Sequence, residues 1–180
     1  MKTISLIIPT YNEDGRIKKT IETLKQGLYF AGVKIKEIIF CDDGSSDETL
    51  GLLKKQRKII ERKTKAKTKI ITYEKNKGRG YAIRLAALKA SGDFILYADA
   101  DFSIPLSNIR KFIPYMKKDY DVIIGSKKIR GAKEIIKRSG NLKNRYLAML
   151  DSSTAIIKQT INTFIIRAAI PITIALKSAV

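Results

Sequence analysis

Short apolar segments alternate with longer segments of helical spacing along most of this chain. The apolar segments predict five strands, at 3–8, 34–41, 69–73, 94–98 and 121–125. Helices are predicted between them, at 17–28, 47–62 and 80–90, and from Pro105 onward. Strands that alternate with helices of about ten or more residues require right-handed crossovers. The pattern therefore predicts an α/β fold, with a mostly parallel sheet flanked by helices.

Composition narrows the chemistry that is open to the chain. Its 180 residues, 44% of them hydrophobic, suffice for one domain with a hydrophobic core. Histidine is absent, which excludes a His-based catalytic triad, an imidazole base and a histidine-ligated zinc site. The single cysteine, Cys41, lies in a predicted strand and is interpreted as a core residue in a reducing compartment. Any chemistry must therefore use carboxylates, cations and a metal ion.

The formal net charge is +19, which is typical of proteins that bind nucleic acid or an anionic membrane surface. The densest basic stretch, residues 54–69, has nine cations against one anion, Glu61, but no aromatic side chain on which a base could stack. We interpret it as a solvated helix and loop, and no nucleic-acid partner is expected. Attraction to anionic lipid headgroups, worth about 1 kcal/mol per cation near the surface, leaves a peripheral position on a membrane open.

Two acidic clusters follow predicted strands. Asp99 and Asp101 come directly after the fourth strand, and Asp42 and Asp43 come after the second. In an open parallel sheet, ligands bind outside the carboxyl ends of the strands, so acids from two such ends can converge on one nucleotide. Carboxylates are hard ligands for Mg²⁺ or Mn²⁺, and these ions take substrate phosphates as further ligands. The sequence thus indicates a metal site that receives a diphosphate.

Other interpretations of these residues are open. Aspartates are common in turns and caps, and Ser45 and Glu48 have the spacing of a capping box at the start of the second helix. A dinucleotide-binding fold is disfavoured because Gly78-Arg79-Gly80 is only a fragment of its glycine motif. A phosphoacceptor receiver domain is disfavoured because the first strand is followed by residues 9–13, Pro-Thr-Tyr-Asn-Glu, rather than by paired acids.

Four motifs together, in order and spacing, resemble the inverting family 2 glycosyltransferases of the GT-A fold. They are Ile7-Ile8-Pro9-Thr10-Tyr11-Asn12-Glu13, Asp42-Asp43-Gly44-Ser45, Asn76-Lys77-Gly78-Arg79-Gly80 and Asp99-Ala100-Asp101. Within that family the chain is most similar to the dolichyl-phosphate glucosyltransferase branch of the polyprenyl-phosphate sugar synthases. Three stretches support this: Gly80-Tyr81-Ala82-Ile83-Arg84, residues 98–105, and Ile124-Gly125-Ser126-Lys127. The resemblance covers residues 3–146 and implies a nucleotide-diphospho-sugar transferase fold.

The resemblance also implies which residues bind the donor, for which a UDP-linked sugar is favoured. These are Pro9, Tyr11, Asn12, Glu13, Asp42, Asp43, Gly78, Arg79 and Asp99. Asp42 would accept a hydrogen bond from the base N–H, whereas Asp43 and Ser45 would shape the loop. Gly78 and Gly80 would let the backbone approach the donor.

Arg79 stands where the family usually has lysine, which keeps the charge but replaces a compact ammonium by a planar fork. Asp101 would bind the Mg²⁺ or Mn²⁺ ion that bridges the diphosphate, and Asp99 would share that metal or hold the ribose.

The implied reaction is transfer of a hexose, with glucose favoured, by direct displacement at the anomeric carbon with inversion. The metal and nearby cations would neutralise the charge on the leaving UDP. The nucleophile would be a polyprenyl or dolichyl phosphate, which is already ionised at neutral pH and needs no strong general base. The implied catalytic residues are Asp99, Asp101, Lys127 and Arg138. Lys127, Arg138 and Arg145 are candidates for gripping a phosphate, and each is interpreted equally well as a solvated cation.

The chain is expected to divide into a glycosyltransferase domain, residues 1–146, and an atypical tail, residues 147–180, with helical character. The Asp-Thr-x-x-Gly-Phe-Lys type motif of the branch is missing after Asp151, and the Ile-rich run that follows is too polar for a membrane span. Three accounts stay open: an amphipathic helix on the membrane, a helix packed over the sheet, or a reading frame lost near Asp151, which is slightly favoured. Because Met1 leads straight into the first strand, the expected location is cytoplasmic or peripheral on the cytoplasmic membrane face.

Two alternatives to an active hexosyltransferase follow from these features. If the tail cannot complete the acceptor side, the chain would be an inactive fragment that binds nucleotide sugar. If the motifs have lost their role, it would be a basic protein associated with membrane or nucleic acid.

Overall fold

A computed structural model of the protein describes residues 1–116, 122–124, 147–148, 157–158 and 163–167. Its strands are β1 (Lys2–Thr10), β2 (Val33–Asp42), β3 (Lys67–Thr72), β4 (Phe94–Ala98), β5 (Val122–Ile124), β6 (Leu147–Ala148), β7 (Ile157–Lys158) and β8 (Thr163–Arg167). Six of them form one sheet in the order β3-β2-β1-β4-β8-β5, and β6 and β7 form a separate antiparallel pair. The pairs β1–β2, β1–β4 and β2–β3 are parallel. The predicted α/β fold with a mostly parallel sheet is confirmed.

The helices of the described ranges are α1 (Asp14–Lys25), α2 (Thr49–Thr64), α3 (Arg79–Leu88) and α4 (Ile109–Met116). A short 3-10 turn, Leu106–Asn108, precedes α4. The first helix ends before Leu28, which the prediction had included, because Gly27 adopts a φ of 89° that the helix cannot continue through. Within the described ranges, no helix has both the length and the apolar character that crossing a membrane requires.

Apolar clusters cover both faces of the sheet. On one face, residues of β1 such as Leu6 and Ile8 belong to a cluster with Ile17 of α1 and Leu53 of α2. On the other face, Ile7 belongs to a smaller cluster that includes alanines of α3. Side chains of a strand alternate between faces, so the continuous apolar run of β1 reflects a strand that is buried on both sides.

Cys41 lies in the smaller cluster and is fully buried. Burial raises the pKa of its thiol to about 12, and the charges of Asp43 and Asp42 add to the shift. The thiolate is therefore inaccessible at neutral pH. This confirms the interpretation of Cys41 as a core residue.

A buried ionic network lies beside the turn that leads into β4. Glu37 of β2 accepts hydrogen bonds from Ser5 Oγ at 2.6 Å and from the Ser91 N–H at 2.6 Å, and it pairs with Lys69 Nζ at 2.5 Å. Burial opposes ionisation, but the bonds from Lys69, Ser5 and Ser91 outweigh it and lower the pKa of Glu37 to about 2. A Cβ at Gly92 would lie 2.7 Å from the backbone nitrogen of Ser5, so this turn requires glycine.

The tail differs from the expected helix at the residues that the structure describes. Residues 163–167 form β8, which pairs antiparallel with β4 on one side and with β5 on the other. Its sequence, Thr-Phe-Ile-Ile-Arg, is rich in β-branched and aromatic residues, which favour strands. The expected helix is therefore wrong for these residues, while the domain boundary at residue 146 stays a prediction.

The second helix also begins differently from the prediction. It starts at Thr49 rather than at Asp47, and Glu48, which precedes it, makes no side-chain capping bond. Asp47 Oδ1 instead accepts a hydrogen bond from the Thr49 N–H at 3.0 Å, and its Oδ2 accepts one from the Asp14 N–H at 3.0 Å. The predicted capping box is wrong, because Ser45 is engaged by Asp42 instead.

Candidate functional site

The predicted site residues of the described ranges gather at the carboxyl ends of β1, β2 and β4. Parallel pairing places Thr10, at the end of β1, beside Asp42, at the end of β2. The strand β4 runs parallel to β1 on its other side, and Asp99 follows its last residue. The two acidic clusters thus lie at one edge of the sheet, which is the geometry that convergence on one ligand requires.

Asp42 is buried and held in one orientation by hydroxyl groups. Its Oδ1 accepts a hydrogen bond from Ser45 Oγ at 2.6 Å, and its Oδ2 accepts one from Thr72 Oγ1 at 3.2 Å. Thr10 Oγ1 donates to Oδ1 over 3.4 Å. Asp42 is therefore held in a fixed orientation at the edge of the sheet by groups of its own chain.

Asp43 organises the loop that precedes α3. Its Oδ1 accepts hydrogen bonds from Tyr73 OH and from the Lys77 N–H, both at 2.7 Å, and its Oδ2 accepts one from Asn76 Nδ2 at 3.1 Å. Gly44 has a φ of 70°, and a Cβ there would lie 2.9 Å from the Asn76 nitrogen, so only glycine permits this approach. Burial, together with the bond to Asp43, raises the pKa of Tyr73.

The same loop places a cation against two aromatic rings. Lys77 Nζ lies 4.7 Å from the ring centroid of Tyr81 and 5.7 Å from that of Tyr73. The two rings meet edge to face with centroids 5.3 Å apart. Aromatic faces attract cations, so the ammonium is restrained on the surface beside the start of α3.

The loop after β1 is tied to the loop after β2. Asn12, in the left-handed region at φ 49°, donates its N–H to Ser45 Oγ at 3.0 Å and accepts from the Ser46 N–H at 2.9 Å. Glu13 pairs with Arg16 at 2.6 Å. Burial is the main cause that raises the pKa of Glu13, and the nearby charge of Asp101 adds to it. Pro9 lies at the end of β1, and Tyr11 is 47% exposed beside it.

Asp99 is held by a buried tyrosine and approached by a cation. The hydroxyl of Tyr97, which lies two residues earlier in β4, donates to Asp99 Oδ1. Arg79 Nη1 lies 3.4 Å from that same oxygen and 3.4 Å from the Tyr97 hydroxyl. Burial is the main cause that raises the pKa of Tyr97, and the charge of Asp99 adds to it, so the hydroxyl stays a donor.

The backbone of the Asp99–Asp101 motif is fixed by hydrogen bonds from α1 and from the residues that follow the motif. Thr20, a buried residue of α1, donates its hydroxyl to the carbonyl of Ala100. The Phe102 N–H bonds to the Asp99 carbonyl at 3.1 Å, and the Ser103 N–H bonds to Asp101 Oδ1 at 2.8 Å. The two carboxylates consequently project from a turn whose shape is set by α1 as well as by β4.

The chemistry of this motif fits a divalent cation that is also bound by a ligand. Among the residues that the structure describes, no three acidic, Cys or His side chains cluster in a way that could hold a metal. Asp99 and Asp101 supply two hard oxygen ligands, which suits an ion that completes its shell with waters and phosphates. These two residues would therefore hold the metal ion only together with a phosphate-bearing ligand.

The structure thus brings together the described members of the predicted set: Pro9, Tyr11, Asn12, Glu13, Asp42, Asp43, Gly78, Arg79, Asp99 and Asp101. Lys127, Arg138 and Arg145 lie outside the described residues. Sequence reasoning missed Thr20, Tyr73 and Tyr97. Tyr73 and Tyr97 bond to acidic residues, and Thr20 bonds to the backbone between Asp99 and Asp101. The available signals were a polar group on an otherwise apolar helix face, as at Thr20, and hydroxyls inside predicted strands, as at Tyr73 and Tyr97.

Comparison with known proteins places these motifs in a family. Residues 5–172 match the model of the glycosyl transferase family 2 domain. We expected the resemblance to stop at residue 146. The match extends to residue 172, so it continues past Asp151 and includes β8.

Curated relatives and solved structures agree with that match. The dolichol-phosphate mannosyltransferase of Pyrococcus furiosus is 35% identical over 133 residues, which cover 72% of this chain and 34% of that protein. The dolichyl-phosphate beta-glucosyltransferase of Saccharomyces cerevisiae is 34% identical over 122 residues, 64% of this chain and 34% of that protein. The structure of S. aureus TarS 1–349 in complex with UDP has a TM-score of 0.59 and 26% identity, and the match covers 94% of this chain and 47% of that one. The chain spans about a third of the length of these curated relatives.

Proposed function

This chain belongs to glycosyltransferase family 2, and from that premise we propose that it transfers a hexose, with glucose as first choice, from a UDP-linked donor to a polyprenyl or dolichyl phosphate. The observation that carries the proposal is the meeting of Asp42, Arg79, Asp99 and Asp101 at one edge of the sheet. This arrangement offers an acceptor for a base, a cation for a diphosphate and a carboxylate pair for a metal ion.

Asp42 and its surroundings support a uracil-bearing donor. A uracil presents an N–H that a fixed carboxylate oxygen can accept, and Asp42 is fixed by Ser45 and Thr72. Tyr11 and Asn12 lie on the neighbouring loop, where they would flank the base and ribose. A related structure, that of TarS, is described as a complex with UDP, which agrees with this choice of nucleotide.

The diphosphate would lie between the start of α3 and the acidic motif. Gly78 has a φ of 88° and nothing within 4 Å of an added Cβ, so the backbone is open to close approach there. Arg79 follows as the first residue of α3 and presents a planar donor fork. A Mg²⁺ or Mn²⁺ ion held by Asp99 and Asp101 would act as a Lewis acid toward the leaving diphosphate.

The reaction would proceed by direct displacement with inversion. A phosphate oxygen of the acceptor is ionised at neutral pH, so the chain needs no strong base, in accordance with its lack of histidine. Arg79 would stabilise the negative charge that develops on the leaving UDP, and Asp99 and Asp101 would orient the diphosphate through the metal. Lys127 and Arg138 are proposed to bind a phosphate as well.

The acceptor proposal rests on the names of relatives that act with dolichol phosphate or dolichyl phosphate. Such an acceptor is a membrane lipid, so we propose that the protein works at the cytoplasmic face of a membrane as a peripheral protein. The net charge of +19 would favour contact with anionic lipids.

The test is a thermal-shift titration with UDP, GDP, UDP-glucose and GDP-mannose, each with and without Mn²⁺, followed by a transfer assay with polyprenyl phosphate. A ligand at about 100 times its dissociation constant should add roughly 2.7 kcal/mol of stability. We expect Mn²⁺-dependent stabilisation by the UDP compounds, loss of it in Asp101→Ala, and its retention in the control Glu22→Ala on the exposed side of α1.

Two results would contradict the proposal. If no nucleotide raised the thermal stability, the proposed donor site would be refuted. Binding of UDP-glucose without transfer would indicate a nucleotide-sugar-binding protein with no turnover.

A further inference from the structure

Arg79 and the proposed metal ion would share one carboxylate, that of Asp99. Arg79 Nη1 lies 3.4 Å from Asp99 Oδ1, and Asp99 is one of the two carboxylates that would bind the metal. A guanidinium and a divalent cation repel each other strongly at such distances. Because both cations bind the same carboxylate, each therefore weakens the binding of the other at Asp99.

The contact between Arg79 and Asp99 is easily broken. It is long for an ion pair, and the side chains of Arg79 and Asp99 are 44% and 23% exposed. Pairs of this exposure contribute little to stability. Exchanging the ion pair itself for a better partner would therefore cost little.

The Tyr97 hydroxyl decides which partner moves. It donates to the same Asp99 oxygen, and Tyr97 is 2% exposed in β4, so its position is fixed by packing. Asp99 is consequently held in place by a buried residue, whereas Arg79 is a half-exposed residue at the first position of α3. A long, half-exposed side chain can change its rotamer without disturbing the core.

We propose that Arg79 exchanges partners during donor binding, leaving Asp99 for the diphosphate as the metal ion takes its place. Nucleotide and metal would then bind cooperatively, because the contact between Arg79 and Asp99 opposes the binding of both. The diphosphate draws Arg79 away from Asp99 and so favours metal binding. The metal ion displaces Arg79 from Asp99 and so leaves it available to the diphosphate. By linkage, the effect of UDP on metal affinity equals the effect of the metal on UDP affinity. This inference rests on the proposed function.

The experiment measures Mn²⁺ binding by electron paramagnetic resonance, with and without saturating UDP, for the wild type, Arg79→Gln and Arg84→Gln. Arg84 is an exposed residue of the same helix, so its variant loses the same charge without touching Asp99. UDP affinity is measured by calorimetry without metal, and thermal melting verifies that each variant is folded.

For Arg79→Gln without UDP, we expect Mn²⁺ to bind about two- to fivefold more tightly than to the wild type, which is the range of a partly exposed ion pair. With UDP present, the variant and the wild type should bind Mn²⁺ equally well. The coupling between UDP and Mn²⁺ in Arg79→Gln is then smaller than in the wild type by a similar factor. UDP alone should bind about tenfold more weakly, because a charge-assisted contact is lost. Arg84→Gln should match the wild type in all three measurements.

Three outcomes would overturn the exchange. One is unchanged or weaker Mn²⁺ binding to Arg79→Gln. Another is a gain in the Mn²⁺ affinity of Arg79→Gln that is equal with and without UDP, because a long-range Coulomb effect alone would produce it. The third is a wild type that binds neither UDP nor Mn²⁺, which would overturn the proposed function as well, whereas the first two leave the proposed function intact.

Discussion

Glu37 and Asp99 are both acidic residues beside a cation on the same sheet, but their surroundings differ. The Glu37 side chain is 2% exposed and pairs with Lys69 at 2.5 Å, with further bonds from Ser5 and Ser91. Asp99 is 23% exposed, and its cation, Arg79, lies 3.4 Å away. The first carboxylate is saturated by its own chain, whereas the second keeps coordination capacity for a ligand.

The comparison teaches that charge alone does not mark a site in this protein. A buried carboxylate must be fully paired, because an unpaired one would carry a large desolvation cost. Glu37 meets that requirement and links β1, β2 and β3 to the turn before β4. Asp99 and Asp101 follow the end of β4, where water can solvate them until a ligand displaces that water.

The largest expected effect is on catalysis. Asp101→Asn should lower the turnover of the proposed transfer at least about a hundredfold, because a metal that acts as a Lewis acid is worth several kcal/mol. Its stability should change by no more than about 0.5 kcal/mol, as for other substitutions near the surface. Transfer rates and urea unfolding are the measurements. Activity close to that of the wild type would show that Asp101 does not hold the metal.

The next largest effect should be on the free energy of unfolding, when Glu37 is replaced. Glu37→Gln should destabilise the fold by about 3 kcal/mol, since it leaves the buried side of Lys69 without its anion. The affinity of the folded protein for UDP should be unchanged. Urea unfolding is the measurement, with Glu22→Gln as control, because Glu22 forms an exposed pair with Lys25 that is expected to contribute little. Equal unfolding midpoints for both variants would refute the saturated network.

The pH dependence of stability should separate the two regions further. The pKa of Glu37 is about 2 in the folded protein and 4.5 as the ordinary value. A depressed folded pKa contributes stability that is present above pH 4.5 and is lost as the pH falls toward about 2. The stability difference between the wild type and Glu37→Gln, measured by urea unfolding from pH 6 downward, should therefore shrink across that window. A difference that stays constant would show that Glu37 does not titrate as an ion pair.

The smallest effect should come from the support under the acidic motif. Thr20→Val removes the hydroxyl that donates to the Ala100 carbonyl while keeping the shape of the side chain. We expect a loss of about 1–2 kcal/mol of stability from the buried carbonyl left without its donor. Mn²⁺ affinity should also fall, because the turn that presents Asp99 and Asp101 loosens. Thr23→Val, on the exposed side of the same helix, is the control, and equal Mn²⁺ binding by both variants would count against a role for Thr20.

Much of the fold could be predicted because its signals are local. The apolar runs of β1, β2 and β4 and the helical spacing of α1 are each readable within about a dozen residues. Four motifs at strand ends predicted the set of residues that the structure gathers at one edge of the sheet. Their roles as donor and metal ligands stay predictions.

The misses share a different cause, since they depend on contacts between distant parts of the chain. Residues 163–167 lie in the tail that was expected to have helical character, but they form a strand. Their composition favours a strand locally, whereas their position between β4 and β5 depends on pairing with distant segments. The expected capping box failed partly for the same reason. Ser45 accepts a hydrogen bond from Asn12, which is distant in sequence, and donates locally to Asp42, instead of capping α2.

The sequence by itself determined the alternation of strands and helices, the chemistry available without histidine, and the family to which the motifs belong. Those features follow from residue types and spacing, which act over short distances along the chain. The tertiary structure alone decided that Tyr97 and Arg79 meet at Asp99, that Thr20 supports Ala100, and that Glu37 is saturated where Asp99 is not. These relations arise because parallel strands and packed helices bring together groups that are far apart in sequence, and burial then fixes which of them must be paired.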